Sequence, residues 1–301
     1  MLELNFLKFQ AILQPSELCY FLQETQSPSL SLSLSPTMLL ELSLNEGTVL
    51  LRQAVKPFTQ MGFDWGEIYA TPEEVTLTPF DPTSLTPTVT LALWMKSSMF
   101  ETCINHQNVW LAFDVHSFYH NNLCQVRDDD DFVGLYVDDE NDDFGGFELS
   151  NCRTRRFIEG EIPLISVHLR ELAAPTPQFQ HEYHVIVGIQ SNEFRRLITY
   201  LGHIGVLVAA RVTDTEVKFS VGDIEVVYSK ELRQCIIGGD VGEEDPVFLL
   251  FNLQHARAIE TAAELSQMVW LLGQSNGLSV VLLCPVTRLV NLMFCFGPPQ
   301  A

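Results

Sequence analysis

The chain has 301 residues, and 17 Lys+Arg against 38 Asp+Glu leave a formal net charge of −21. That length suits two domains better than one, and 47% hydrophobic residues exclude a disordered acidic tail. No apolar run reaches the roughly 18 residues of a membrane span, the start lacks a basic signal-peptide region, and the acidic excess argues against a partner made of phosphates.

Residues 1–37 stand apart. An apolar start runs into SPSLSLSLSPT (27–37), a Ser/Leu/Pro stretch that reads as linker or disorder, so an N-terminal extension is expected there. Met38 opens a strand-like run, MLLELSL. Thr48–Met61 follows with helical spacing of Val49, Leu50, Ala54 and Phe58, and Pro57 is expected to shorten or kink that helix. Alternating strands are expected at Glu67–Ala70, Val75–Pro79, Thr88–Trp94 and Val109–Phe113, a second helix at Val115–Val126, and a strand at Phe132–Val137. Nine acids fall within 128–143, and aspartates bracketing β-branched residues mark hairpin turns more often than metal sites. A third helix is expected from Asn192 to about Leu201.

The seven cysteines (Cys19, Cys103, Cys124, Cys152, Cys235, Cys284 and Cys295) are odd in number and lack a CxxC pair. Reduced thiols fit better than a disulfide framework or a zinc ribbon. His116 and His120 have helical spacing, but with no third ligand nearby exposed imidazoles are the simpler account. GGDVGEED (238–245) is glycine-rich and acidic, which suits a loop and would repel phosphates. With no GxSxG, Walker-type loop or HExxH, neither an enzyme nor a cofactor is expected.

An internal repeat organises the chain. EVTLTPFD (74–81) and EVKFSVGD (216–223) lie 142 residues apart, and Val109–Phe113 and Val247–Phe251 lie 138 apart. Phe132–Val137 and Met268–Leu272 keep nearly the same offset, and LRELAAPTPQFQ (169–180) connects the two halves. A strand-rich pattern with about four short helices indicates an α+β fold, with antiparallel sheets backed by helices on one face.

Four segments carry a family resemblance in order: SNEFRRLITYLGHIG (191–205), EVKFS (216–220), EDPVFLLFNL (244–253) and LMFCFGPP (292–299). LLELSLNEGTVLLR (39–52), VTLTPFD (75–81), LAFDV (111–115) and HEY (181–183) agree in the first half. Over roughly 38–299 the chain resembles the proliferating cell nuclear antigen (PCNA) family of DNA sliding clamps. The resemblance implies two clamp domains, 38–167 and 181–301, joined by a connector at 168–180. It also implies three subunits closing head to tail into a homotrimer, with helices lining the hole and sheets outside. Such a ring works in DNA replication and repair in the nucleus, or at a viral replication site. It is put in place by a clamp loader, holds a polymerase on double-stranded DNA, and recruits proteins through short hydrophobic motifs. A subunit of a heteromeric checkpoint clamp, and a degenerate paralogue without DNA function, are the alternatives.

On that resemblance the DNA-facing residues are Arg52, Lys56, His120, Arg195, Arg196, His203, His255 and Arg257, with Arg127 after the second helix. Leu51, Leu123, Thr199, Gln254 and Thr261 stand where the family usually places Lys or Arg, which predicts a looser grip. The partner-peptide pocket is expected from Phe80, Leu85, Leu172, Ala174, Pro246, Gly297 and Pro298. Cys295 replaces a usually aromatic residue there, and the chain reaches Ala301 without the family's acidic tail. The subunit interface is expected where an edge strand at 162–166, with Ile162, Leu164 and Ser166, meets Ile224, Val226 and Tyr228 of a neighbour. Pro163 is tolerable there only if its nitrogen faces away from the partner strand.

Overall fold

The structure, a computed structural model, describes residues 38–80, 89–105, 108–138, 144–169, 183–242, 244–273 and 280–297. The body containing them begins at Pro36, and the N-terminal extension at 1–37 lies outside the described residues. It is an α+β arrangement of antiparallel strands with few helices. Among the described residues no helix is long and apolar enough to cross a membrane.

The first half supplies β1 (Met38–Leu44), α1 (Thr48–Gln60), β2 (Trp65–Ala70), β3 (Glu74–Phe80), β4 (Val89–Lys96), β5 (Thr102–Asn105) and β6 (Val109–Asp114). A helical segment α2 (115–125) follows, then β7 (Phe132–Asp138), β8 (Phe144–Asn151) and β9 (Arg156–Leu169). The second half repeats the order: β10 (Val185–Gln190), α3 (Ser191–Gly202), β11 (Leu207–Val212), β12 (Glu216–Val221), β13 (Ile224–Ser229), β14 (Cys235–Gly239) and β15 (Val247–Asn252). It ends with α4 (Ala256–Glu264), β16 (Met268–Gly273), β17 (Val280–Pro285) and β18 (Val290–Phe296).

The repeat seen in the sequence is therefore a repeat of topology. β1 lies between β5 and β7, and β10 between β14 and β16. β2 lies between β3 and β6, and β11 between β12 and β15. Even the turns match: Thr71 Oγ1 accepts from the Glu74 amide at 3.1 Å, and Thr213 Oγ1 accepts from the Glu216 amide at 3.1 Å. The halves are joined by β4 and β18, which run antiparallel from Met95–Val290 to Val89–Phe296, so that one continuous sheet has fourteen strands. A second sheet has the order β13-β12-β11-β15.

All four helical segments lie on one face, with α3 beside α4, α4 beside α1, and α1 beside α2. Their apolar sides enter a single core with the strands: Ala54, Val55 and Phe58 from α1, Phe194 and Ile198 from α3, Ile259 and Ala262 from α4. Side chains alternate along β18, so Val290, Leu292, Phe294 and Phe296 face that core. Met293 faces the opposite way, into a smaller cluster with Ala92, Leu272 and Val281.

Three expectations are corrected. Pro57 neither ends nor shortens α1, which runs on to Gln60; the proline is buried in the last turns, where its missing N–H removes a single rung. The second helix is not regular, because a π turn (Phe118–Asn122) and a 3-10 turn (Leu123–Gln125) follow one α-helical turn. Phe118, Tyr119, Asn122 and Leu123 are all buried, at the i, i+1, i+4 and i+5 spacing of one helix face, and the π turn falls within that face. Finally, β9 extends to Leu169, so the start of the expected connector at 168–180 belongs to a strand, and 170–182 lies outside the described residues.

Candidate functional site

The feature that organises the candidate site is a pair of sheet edges. β13 closes the four-stranded sheet and is bonded only to β12 among the described residues. β9 changes partner along its length within the fourteen-stranded sheet: Arg156–Pro163 pairs with β8, and Leu164–Leu169 pairs with β6 across an irregularity at Ala112/Phe113. Ile162 pairs with Gly145 of β8, and Leu164 and Ser166 pair with Phe113 and Ala112 of β6, so each stretch of β9 has one partner strand among the described residues. Ile162 and Leu164 line an apolar cleft with Ile68, Leu111, Phe113, Leu135 and Val137, which draws this part of β9 inward.

Strand alternation divides each edge into two faces. Ile158 and Ile162 on β9, and Val226 and Tyr228 on β13, pack towards the core. Tyr228 also reaches the Glu193 carbonyl of α3 with its hydroxyl, at 3.4 Å. On the other face, Phe157 is 61% exposed and Val227 44% exposed, and the exposed carboxylates Glu159, Glu161 and Glu225 lie alongside. Large apolar side chains left open beside an unpaired ladder are what an assembling edge presents.

The loop before β7 supports the head of this edge strand. Asp131 is buried; its carboxylate accepts from the Arg127 amide at 2.7 Å and the Asn151 amide group at 2.8 Å, and pairs with Arg156 at 2.9 Å. Burial alone would push its carboxyl up, but those hydrogen bonds and the Arg156 charge together hold it below its ordinary value. Asp128 and Asp130 bond Asn151 and Arg153, so three aspartates of the 128–131 run serve as loop caps. Among the described residues no group of three or more His, Cys, Asp or Glu is placed to hold a metal.

The helix face carries the other expected site. Lys56 and Arg257 are exposed and have no ion-pair partner among the described residues. Arg52 is committed to the Val126 carbonyl, Arg195 lies 3.7 Å from Glu264, and Arg196 pairs with Glu193 at 2.8 Å while staying 77% exposed. His120, His203 and Arg127 are exposed. His255 fits the expected role poorly: it is half-buried at the start of α4, its ring 6.3 Å from that of Phe63, and burial lowers its pKa so that it is uncharged at neutral pH. Reading the sequence for cations overlooked Glu193, Glu260 and Glu264, which share these helices and accept from Arg196, Thr199 and Arg195.

Of the expected partner pocket, Leu85, Leu172, Ala174 and Pro298 lie outside the described residues. Pro246 is half-buried, Gly297 is exposed, and for Phe80 the backbone at the end of β3 is described. Tyr183, Trp94, Trp270 and Cys295 pack on the smaller cluster of Ala92, Leu272, Val281 and Met293. Burial there pushes the Cys295 thiol up to about 11 and the Tyr183 phenol up to about 12, so both stay neutral. His116 and His120 stack with ring centroids 4.3 Å apart on the exposed side of α2. Gly239, in the GGDVGEED segment, ends β14 at φ +104, and a Cβ there would meet the His184 carbonyl oxygen; a tight turn against β10 requires glycine. No family model matches the chain.

Proposed function

We propose that the chain is one subunit of a head-to-tail ring that encloses duplex DNA, a sliding clamp that carries out no chemistry itself. One observation carries this reading. Within the chain, β18 of the second half pairs with β4 of the first. The counterparts of these strands, β9 and β13, are not paired with each other. A joint used once inside the molecule leaves the same joint open at its two ends, and repetition of one rotation closes such subunits into a ring.

The helices α1 to α4 then face the hole, and Lys56, Arg196, Arg257 and His203 supply a weak, sequence-independent attraction to phosphates. Polymerases and other proteins with short apolar motifs dock on the outside, near Pro246 and Gly297. The working place on this reading is wherever DNA is replicated or repaired, in the nucleus or at a viral replication site. Three subunits complete the ring in the arrangement that the sequence resembles.

The test is retention on DNA. Loaded onto a nicked circle, the protein stays bound in high salt and is lost when the circle is linearised. Equal loss from circle and line, by the chain alone and together with the chains that co-purify with it, removes topological linkage, and with it this proposal. A heteromeric clamp is the second reading, motivated by the acids on both open edges.

A further inference from the structure

Resting on the clamp reading, we infer that the open joint of this chain is built for a different clamp-type chain, whose edge strand carries basic residues, and not for a second copy. The internal joint supplies a template for the register: Met95 faces Val290, Leu93 faces Leu292 and Leu91 faces Phe294. Matching the halves strand by strand carries Met95 to Tyr228 and Val290 to Arg156. A second copy would then set Val227 against Phe157, Glu225 against Glu159, and Asp223 against Glu161.

The apolar pair is favourable, but the two acidic pairs are not, since like charges directly opposite destabilise a ladder. Registers that keep the inward faces together differ in steps of two. One step either way sets Asp223 against Glu159, or Glu225 against Glu161, so neighbouring registers do not escape the repulsion. Within the chain Glu159 also lies opposite Glu148 of β8, and burial, these two charges and a hydrogen bond to Glu159 raise the Tyr136 phenol. No Lys or Arg ion pair reaches Glu148, Glu159 or Glu161 among the described residues, while Glu225 is 3.1 Å from Lys218. A strand with Lys or Arg at alternate positions beside an apolar residue answers this row of carboxylates and keeps the contact with Phe157.

The experiment is sedimentation velocity on the full chain, on E159K/E161K, and on E159K/E161K/D223K/E225K, with melting temperatures to show that each is folded. All four positions are on the surface. The double variant is expected to associate with itself at least about tenfold more tightly than the natural chain, and the quadruple variant to lose that gain. Equally tight association of natural and double-variant chains overturns the inference and leaves the clamp reading in place. Association of neither, with both folded, shows that the edges are not a joint and overturns the clamp reading as well.

Discussion

On the clamp reading the molecule has two joints, built from counterpart strands and lined by different chemistry on their outward faces. At the internal joint, Leu91 and Leu93 of β4 meet Phe294 and Leu292 of β18, all fully buried, and Met293 and Ala92 extend the apolar contact on the outer face. At the open joint the inward faces are still apolar, with Ile158 and Val226, but the outward faces alternate Phe157 and Val227 with carboxylates. The difference teaches where permanence is needed. A contact that never opens is stabilised by area and packing alone, at about 25 cal/mol per Å². A contact that must find and release a partner relies more on charge for choice of partner and rate of encounter.

The largest expected effect breaks the permanent joint. Phe294→Ala should destabilise the chain by about 3–5 kcal/mol, read from its denaturant midpoint, because no solvent reaches the cavity it leaves. The comparison predicts the reverse for Phe157→Ala, which should change the melting of the isolated chain by less than about 0.5 kcal/mol. A large loss there would show that β9 is a core strand and not a joint.

Next is the support beneath the open edge. Asp131→Ala leaves the Arg156 guanidinium largely buried without its carboxylate, at an expected cost of about 3 kcal/mol. The pH dependence has a definite sign. The folded carboxyl is held below its ordinary value of 3.8, so its contribution is complete above that value and lost as pH falls through the folded pKa. The natural chain should therefore lose stability in acid more steeply than Asp131→Ala, as followed by thermal melts across the acid range.

A smaller effect concerns assembly alone. Val227→Ser should weaken association with a basic-edged partner such as E159K/E161K about tenfold, measured by sedimentation, and leave the monomer's melting unchanged. The smallest sharpens the helix face. Lys56→Ala with Arg257→Ala should lower the salt slope of DNA binding by about 2, near 0.9 for each lost cation, with no change in stability. His255→Gln should leave that slope unchanged near pH 7, since the buried imidazole is uncharged there.

Much of the fold was legible before the coordinates. β2 alternates, β4 and β6 are short apolar runs, and these strands and β3 are found within two residues; the offset between EVTLTPFD and EVKFSVGD already announces the duplicated hairpin. The third helix was read almost to its ends, since Phe194, Leu197, Ile198 and Leu201 repeat at helical spacing and are all buried. The irregularity of α2 is not legible, because Val115, Phe118, Tyr119, Asn122 and Leu123 keep ordinary helical spacing and the i→i+5 bonding of a π turn leaves no mark on it. The site was less legible. Cations are visible as letters, but whether Arg52 is free or spent on the Val126 carbonyl, and whether His255 is solvated or buried against Phe63, depends on neighbours far along the chain.

The sequence by itself determined the alternation of the strands, the helix faces and the duplication, because these follow from side chains a few residues apart and from one length repeated. Only the tertiary structure decided that β4 and β18 pair across the two halves while β9 and β13 do not pair with each other, and that Glu148 and Glu159 stand side by side. Pairing between strands nearly two hundred residues apart is set by which surfaces remain after local structure has formed. No local pattern encodes that remainder.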